Sequence, residues 1–283
     1  MKIRAAVATA VAGLTVAAVG TIAPAAGADP TWADADSAAI HPGTQTYTDG
    51  GQCTANFVFT DAADNVYIGQ AAHCSGTGGQ TETNGCDSGT LPTGTEVEVD
   101  GATQPGVMVY NAWETMQAVG ETDPDTCAYN DFALVALHPD DFDSVNPSIP
   151  VWGGPVGISD GAGTGTEVYS FGNSSLRFGI EQLSPKYGIS LGTTGSGWTT
   201  PLYTLTPGIP GDSGSAFLDQ NGNALGVLST LAIAPTPASN NVSSIGPAVQ
   251  YMLDNGGPQV TLAQGTEPFS GGPTGLLTGL LGG

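Results

Sequence analysis

Short runs of β-branched and aromatic residues, each closed by a turn signal, recur through this sequence, while a helical period is nearly absent. That pattern confines the chain to sheet architectures, because side chains alternating at period two bury one face of a strand. Asn56–Phe59 and Val66–Ile68 flank the polar run Asp61–Asn65 and predict a hairpin. Thr95–Val99 alternates like a half-exposed strand, Val107–Tyr110 is another candidate, and Phe132–Leu137 is a continuous apolar run of the kind that buried strands show. The style resumes in Glu167–Phe171, Gly179–Leu183, Leu202–Leu205 and Ala216–Leu218, the last turning through Asn221-Gly222 into Leu225–Leu231. A Pro/Gly-rich stretch over 139–165 reads as a linker between two halves of similar size. One helix is expected near the end, with Ser243 or Ser244 as its cap, Pro247 in its first turn and Asn255-Gly256 as its stop. Residues 264–283, Gly-rich with Leu276-Leu277 and Leu280-Leu281, read as a flexible tail.

Lys2 and Arg4 precede an apolar, alanine-rich run that ends at Ala26-Gly27-Ala28. A basic head, an apolar centre and a small-x-small site describe a secretory signal peptide over 1–28, with the mature chain starting near Asp29. Gly13, Gly20 and Pro24 interrupt the run and argue against a membrane anchor, and no later segment is long and apolar enough to span a bilayer. A secreted, extracellular protein is expected, in which 29–51 form an N-terminal arm or a short pro-segment. The whole chain holds 4 Lys+Arg and 26 Asp+Glu; without Lys2 and Arg4, only Arg177 and Lys186 stand against the 26 acids, a balance of −24. So acidic a chain is a poor partner for nucleic acid or an anionic membrane. Thr, Ser, Asn and Gly supply its polarity, which suits a soluble all-β protein better than a disordered acidic one. Cys53, Cys74, Cys86 and Cys127, an even set in an exported chain, are expected to form two disulfides. With no Cys-x-x-Cys pair and scattered histidines, neither a zinc site nor another metal or cofactor is expected.

Two motifs bear chemistry, Ala71-Ala72-His73-Cys74 and Gly211-Asp212-Ser213-Gly214-Ser215. A serine hydroxyl is a weak nucleophile until a base takes its proton, and imidazole is the side chain best matched to that task near neutral pH. A buried carboxylate must fix the imidazole tautomer, and backbone N–H donors must face the oxyanion. Gly211 permits a tight turn that aims its own amide and that of Ser213 into one hole. The three histidines, His41, His73 and His138, all precede Ser213, which excludes the α/β-hydrolase order for that serine. The order Asp, His, Ser of subtilisins requires a pattern of long helices that is not seen here.

With Asn130-Asp131-Phe132-Ala133-Leu134-Val135 between them, these blocks resemble the three signature segments of chymotrypsin-like serine proteases, and the small-residue-rich leader and low basic content resemble the bacterial branch. The resemblance covers roughly 52–253. It implies two antiparallel six-stranded β-barrels with a short C-terminal helix, the first barrel over 52–138 and the second, with the helix, over 166–263. It also implies a catalytic triad of His73, Asp131 and Ser213 in the cleft between the barrels. It implies a Cys53–Cys74 disulfide about the histidine loop, which leaves Cys86 with Cys127. Ser229 is expected to bond the catalytic aspartate, Ser229, Thr230 and Leu231 to form the substrate-binding strand, and Pro207 to lie at the base of the primary pocket. Asp212, buried behind the oxyanion turn, needs a cation, for which Arg177 is the candidate. Ser215 stands where the family usually carries glycine, and no Ile-Val-Gly-Gly activation sequence is present. The implied activity is that of a monomeric endopeptidase cleaving protein or peptide substrates after small or medium apolar residues. The alternative is a catalytically silent, protease-like secreted binding protein.

Overall fold

The computed structural model describes residues 30–49, 51–79, 84–231, 239–273 and 276; the expected signal peptide, residues 1–28, and the cleavage point before Asp29 lie outside them. The strands are β1 (Gln45–Thr48), β2 (Gly51–Thr54), β3 (Val58–Asp61), β4 (Val66–Gln70), β5 (Glu96–Val99), β6 (Gly106–Asn111), β7 (Ala133–Ala136), β8 (Glu167–Phe171), β9 (Pro185–Ser190), β10 (Thr199–Thr204), β11 (Ala216–Asp219), β12 (Ala224–Leu231), β13 (Asn240–Ser244) and β14 (Val260–Leu262). Between strands lie the α-helices α1 (Ala112–Val119), α2 (Pro124–Tyr129) and α3 (Ile245–Asp254). Among the described residues, no helix is long and apolar enough to cross a membrane.

The C-terminal half closes a six-stranded antiparallel barrel in the order β10-β13-β12-β11-β8-β9. The N-terminal half departs from the expected six-stranded barrel. It is an antiparallel sheet of eight strands in the order β14-β3-β4-β7-β6-β5-β1-β2, and among the described residues no ladder joins its two ends. The difference comes from recruitment at both edges. β1 lies ahead of Gln52 and pairs with β2 and β5, while β14 follows α3 and pairs with β3.

The hairpin of β3 and β4 forms because the Asp61 carboxylate accepts hydrogen bonds from the amides of Ala63 (2.8 Å) and Asn65 (3.0 Å), tying off the polar run between two apolar strands. The Asn221-Gly222 turn between β11 and β12 is held the same way by Asp219, with Gly222 at φ +82°. α3 stops at Asn255, followed by Gly256 at φ +79°. Gly179–Leu183, read as a strand, instead ends in a helical turn over Glu181–Leu183; the strand follows as β9.

One core passes through both halves. Phe57, Phe59 and Phe132 of the N-terminal half pack in the same cluster as Trp152, Tyr169, Ile245 and Met252. Trp152, from the stretch read as a linker, is fully buried and donates its indole N–H to the Ser170 carbonyl at 2.8 Å. The residues after 264, read as a flexible tail, are docked there as far as Gly272. Ser270 N–H bonds the Trp152 carbonyl (2.8 Å), Phe269 packs edge-on against Tyr169, and Gly272 N–H bonds the Tyr169 hydroxyl. The cause is apolar: Tyr169 offers a ring face that Phe269 covers.

Candidate active site

His73 sits in a helical turn, Ala72–Ser75, directly after β4, and the Cys53–Cys74 disulfide fastens that turn to β2. Asp131 follows α2 and stands two residues ahead of β7; the second disulfide, Cys86–Cys127, ties α2 to the loop before β5. The two side chains meet. His73 Nδ1 lies 2.7 Å from Asp131 Oδ2, and the His73 backbone N–H donates to Asp131 Oδ1 at 2.9 Å. Ser229 on β12 donates its hydroxyl to Asp131 Oδ2 at 2.6 Å, and the Asp131 amide donates to Ser243 Oγ on β13. An ionised carboxylate only accepts, so Nδ1 carries the proton and Nε2 keeps its lone pair. Burial alone pushes the Asp131 carboxyl up and the His73 imidazole down. Their mutual charge and hydrogen bond outweigh it, leaving Asp131 below the ordinary carboxylate range and His73 above the ordinary 6.5.

Ser213 reaches this pair through the backbone. Its carbonyl accepts from Thr54 N–H of β2 at 2.8 Å. A Cβ on Gly214, which has φ +87°, would stand 2.6 Å from the Thr54 carbonyl and 3.0 Å from the Ala71 nitrogen, so the serine turn presses against the chain that delivers His73. Gly211, at φ +94°, is pinned from the N-terminal sheet by Thr54 Oγ (2.8 Å) and Gln52 Nε2 (2.9 Å), both donating to its carbonyl. Among the described residues, no acceptor takes the Gly211 or Ser213 amide, and Ser213 Oγ makes no hydrogen bond. Gln52 and Thr54 are contacts that motif reading missed.

Asp212 is fully buried under this turn with two cations on one of its oxygens. Arg177 is 2.5 Å and Lys186 2.9 Å from Oδ2. Ser174 N–H (3.0 Å) and Ile209 N–H (3.1 Å) complete the carboxylate's shell. The expected Arg177 contact is therefore present, and Lys186 joins it. Each cation also donates to a carbonyl ahead of Ser213, Arg177 to Pro207 and Lys186 to Thr206. Burial and the neighbouring Arg177 charge lower the Lys186 pKa against the pull of Asp212.

Pro207, Ser229, Thr230 and Leu231 line two facing segments, with Leu231 48% exposed at the end of β12. Asn240, overlooked in the sequence, bridges them. Its Oδ1 accepts from Gly208 N–H (2.8 Å), and its Nδ2 donates to the carbonyls of Gly208 (3.4 Å) and Thr230 (3.3 Å).

No protein-family model and no curated protein matches the sequence. Among solved structures, the chain is similar to Thermobifida fusca Protease A, at 19% identity and a TM-score of 0.50, over 81% of this chain and 100% of that one. It is similar at lower scores to a Nocardiopsis protease (18% identity, TM-score 0.48, 79% of this chain and 98% of that one). A glutamic acid specific serine protease is similar at 17% identity and a TM-score of 0.49, over 79% of this chain and 100% of that one. With its closed barrel, its second antiparallel sheet and this likeness, the chain has the fold of the bacterial chymotrypsin-like serine proteases.

Proposed function

We propose that this protein is a secreted serine endopeptidase, in which Ser213 attacks the peptide carbonyl, His73 takes its proton and Asp131 holds the imidazole. The N-terminal sheet acts as the first barrel of the fold. The observation that carries the reading is the Ser229–Asp131–His73 hydrogen-bond chain beside a serine turn with two uncommitted amides. Nε2 is the free base, and the Gly211 and Ser213 amides are the donors for the oxyanion. The bond from Ser213 Oγ to His73 forms as substrate closes the site, since catalytic hydrogen bonds are commonly long in an empty enzyme. The acyl-enzyme is then hydrolysed by water activated on the same imidazole, with no metal or cofactor. The disulfides and the leader support export, and protein or peptide chains are the substrates, cleaved by a monomer. A fluorophosphonate probe tests the reading: covalent labelling at Ser213 is expected, and no labelling of the folded protein would leave only a silent binding protein of this fold.

The acid limb of kcat/KM provides a second test. The base works only when neutral, and Asp131 favours its charged form, so activity is lost as pH falls through a value above the ordinary 6.5 of imidazole. A limb centred at or below that value would contradict the coupling.

Small or medium apolar residues before the scissile bond fit the pocket best. Pro207 offers no carboxylate to a Lys or Arg side chain, and no histidine follows Ser213 to receive a glutamate. Asn240 shortens the space between Gly208 and Thr230. Positional-scanning peptide libraries are expected to favour Ala, Val or Leu at that position, and Asn240→Gly to move the preference toward Phe by about 10–200-fold. A dominant preference of the wild type for Lys, Arg or Glu would sink this assignment.

A further inference from the structure

Each carbonyl of the segment that leads into Ser213 has a donor. The Pro210 carbonyl accepts from Ser174 Oγ (2.6 Å), the Gly211 carbonyl from Thr54 Oγ and Gln52 Nε2, and the Asp212 carbonyl from Ser215 N–H (3.0 Å). The peptides of this segment are trans, and a trans peptide points its C=O and its N–H to opposite sides. Whatever holds the Pro210 carbonyl therefore aims the Gly211 amide, and whatever holds the Asp212 carbonyl aims that of Ser213. The two uncommitted amides differ in this respect. Ser213 N–H is aimed by a backbone bond within its own turn. Gly211 N–H is aimed by a side chain, that of Ser174, on the loop that follows β8. Gly211 stands at φ +94° and has no Cβ to resist rotation of the plane before it, so this is the peptide most free to turn over. Ser174 is itself held. It is buried, its N–H bonds the Asp212 carboxylate, and its Oγ accepts from Leu176 N–H at 3.1 Å. Gln52 braces the residues on either side of it, donating to the Asn173 carbonyl (3.2 Å) and accepting from Ser175 N–H (3.0 Å). Thr54 Oγ accepts from Asn173 N–H at 3.2 Å. The same two side chains of the N-terminal sheet thus hold both the Gly211 carbonyl and the loop that carries Ser174.

We infer that Ser174 is a positioning residue for the oxyanion hole: its hydroxyl, by holding the Pro210 carbonyl, keeps the Gly211 amide turned toward the charge that develops on the substrate, and Gln52 keeps Ser174 in place. The inference rests on the proteolytic reading, in which that amide is one of the two oxyanion donors. With Ser174 gone, the Pro210–Gly211 plane can turn over and present a carbonyl oxygen where the hole needs an N–H. The hydrogen bonds of Ser174 reach neither His73 nor Asp131, so its effect falls on charge stabilisation and not on proton transfer. An interaction made in the transition state alone acts on kcat and leaves ground-state binding as it was. Outright removal of one oxyanion donor costs about 10²–10³-fold in kcat, and a donor left in place but free to turn away costs less, about 10–100-fold.

The test compares the wild type with Ser174→Ala and Gln52→Met on an apolar peptide p-nitroanilide and on a trifluoromethyl ketone of the same peptide sequence, with urea unfolding of each protein alongside. Ser213 Oγ adds to the ketone carbon, its proton passes to His73, and the carbonyl oxygen becomes an oxyanion, so affinity for the ketone reads the hole directly. Ser174→Ala is expected to lower kcat about 10–100-fold with KM held within about twofold, and to weaken the ketone by the same factor as kcat. The acid limb of its pH profile should stay where the wild type has it, because the His73–Asp131 pair is untouched. Gln52→Met should show the same split with a smaller loss. Wild-type kcat in folded Ser174→Ala overturns the assignment. So does a loss carried by KM alone, or a loss of kcat with ketone affinity intact, either of which would leave Ser174 a structural residue of its loop. Should Ser174→Ala fail to fold, Gln52→Met decides alone, and unchanged kcat and ketone affinity in it overturn the inference. A wild type that neither cleaves the anilide nor binds the ketone removes the proteolytic reading itself, and the role of Ser174 with it.

Discussion

Ser213→Ala is expected to lower kcat on a peptide substrate by on the order of 10⁶-fold, because nucleophile and base act as one unit. The fold should be untouched. Ser213 Oγ has no hydrogen-bond partner among the described residues, so replacing it with a methyl group breaks no contact, and stability should stay within about 0.5 kcal/mol. Burst kinetics, residual turnover and urea unfolding of the variant check this together. Wild-type turnover in a pure preparation would remove Ser213 from the chemistry; a large loss of stability would mean that the serine turn does structural work that its free hydroxyl does not reveal.

Asp212→Asn carries the largest expected effect on stability. The substitution keeps the shape and removes the one negative charge from a buried cluster, leaving Arg177 and Lys186 at 9% and 0% exposure with no counter-ion. Breaking a buried ion pair in this way costs about 3–5 kcal/mol. Lys186 can shed its proton to relieve part of the repulsion, but a guanidinium cannot. Lys186→Met should cost less than Asp212→Asn, because it leaves one cation on one carboxylate. Urea midpoints of the two variants, with m values unchanged, measure the difference. If Lys186→Met proves the more damaging of the two, the charge argument is wrong and packing governs the site. Activity should fall with stability in Asp212→Asn, since Ser174, Ile209 and both cations hold the segment before Ser213 through that carboxylate.

Much of this was legible because the informative residues sit in short, dense motifs. The histidine and serine blocks and the Asp131 segment are short motifs in a telling order, and the pairing of the four cysteines follows from the resemblance those motifs carry. The strands that alternate or run apolar, such as β4, β7 and β12, were legible for the same local reason. What was missed depends on distance. Lys186 belongs to no motif, and it lies on a strand wall facing a carboxylate that comes 26 residues later. Asn240 carries no sequence signal and spans two segments that only the closed barrel brings together. α1 and α2, at 8 and 6 residues, are too short to develop a period, and their caps went unread. Asn111 accepts from Trp113 N–H, Asp123 accepts from Thr126 N–H, and Gly120 ends α1 in the left-handed region. The edges of the N-terminal sheet were hidden because β1 and β14 are recruited from segments that carry little apolar pattern of their own.

Placing both interior cations on Asp212 has a consequence for how the folded molecule can be handled. Lys2 and Arg4 precede residue 30, so from there onward the exterior carries no primary amine and no guanidinium side chain. Amine-reactive dyes and crosslinkers should modify a processed chain at its amino terminus and nowhere else while it is folded. Trypsin meets only two candidate bonds, after Arg177 and after Lys186, and each requires a side chain to leave the interior before it can enter a foreign pocket. Tryptic nicking thus becomes a report on opening of this one cluster. Its rate should track the population of molecules in which Asp212 has let go.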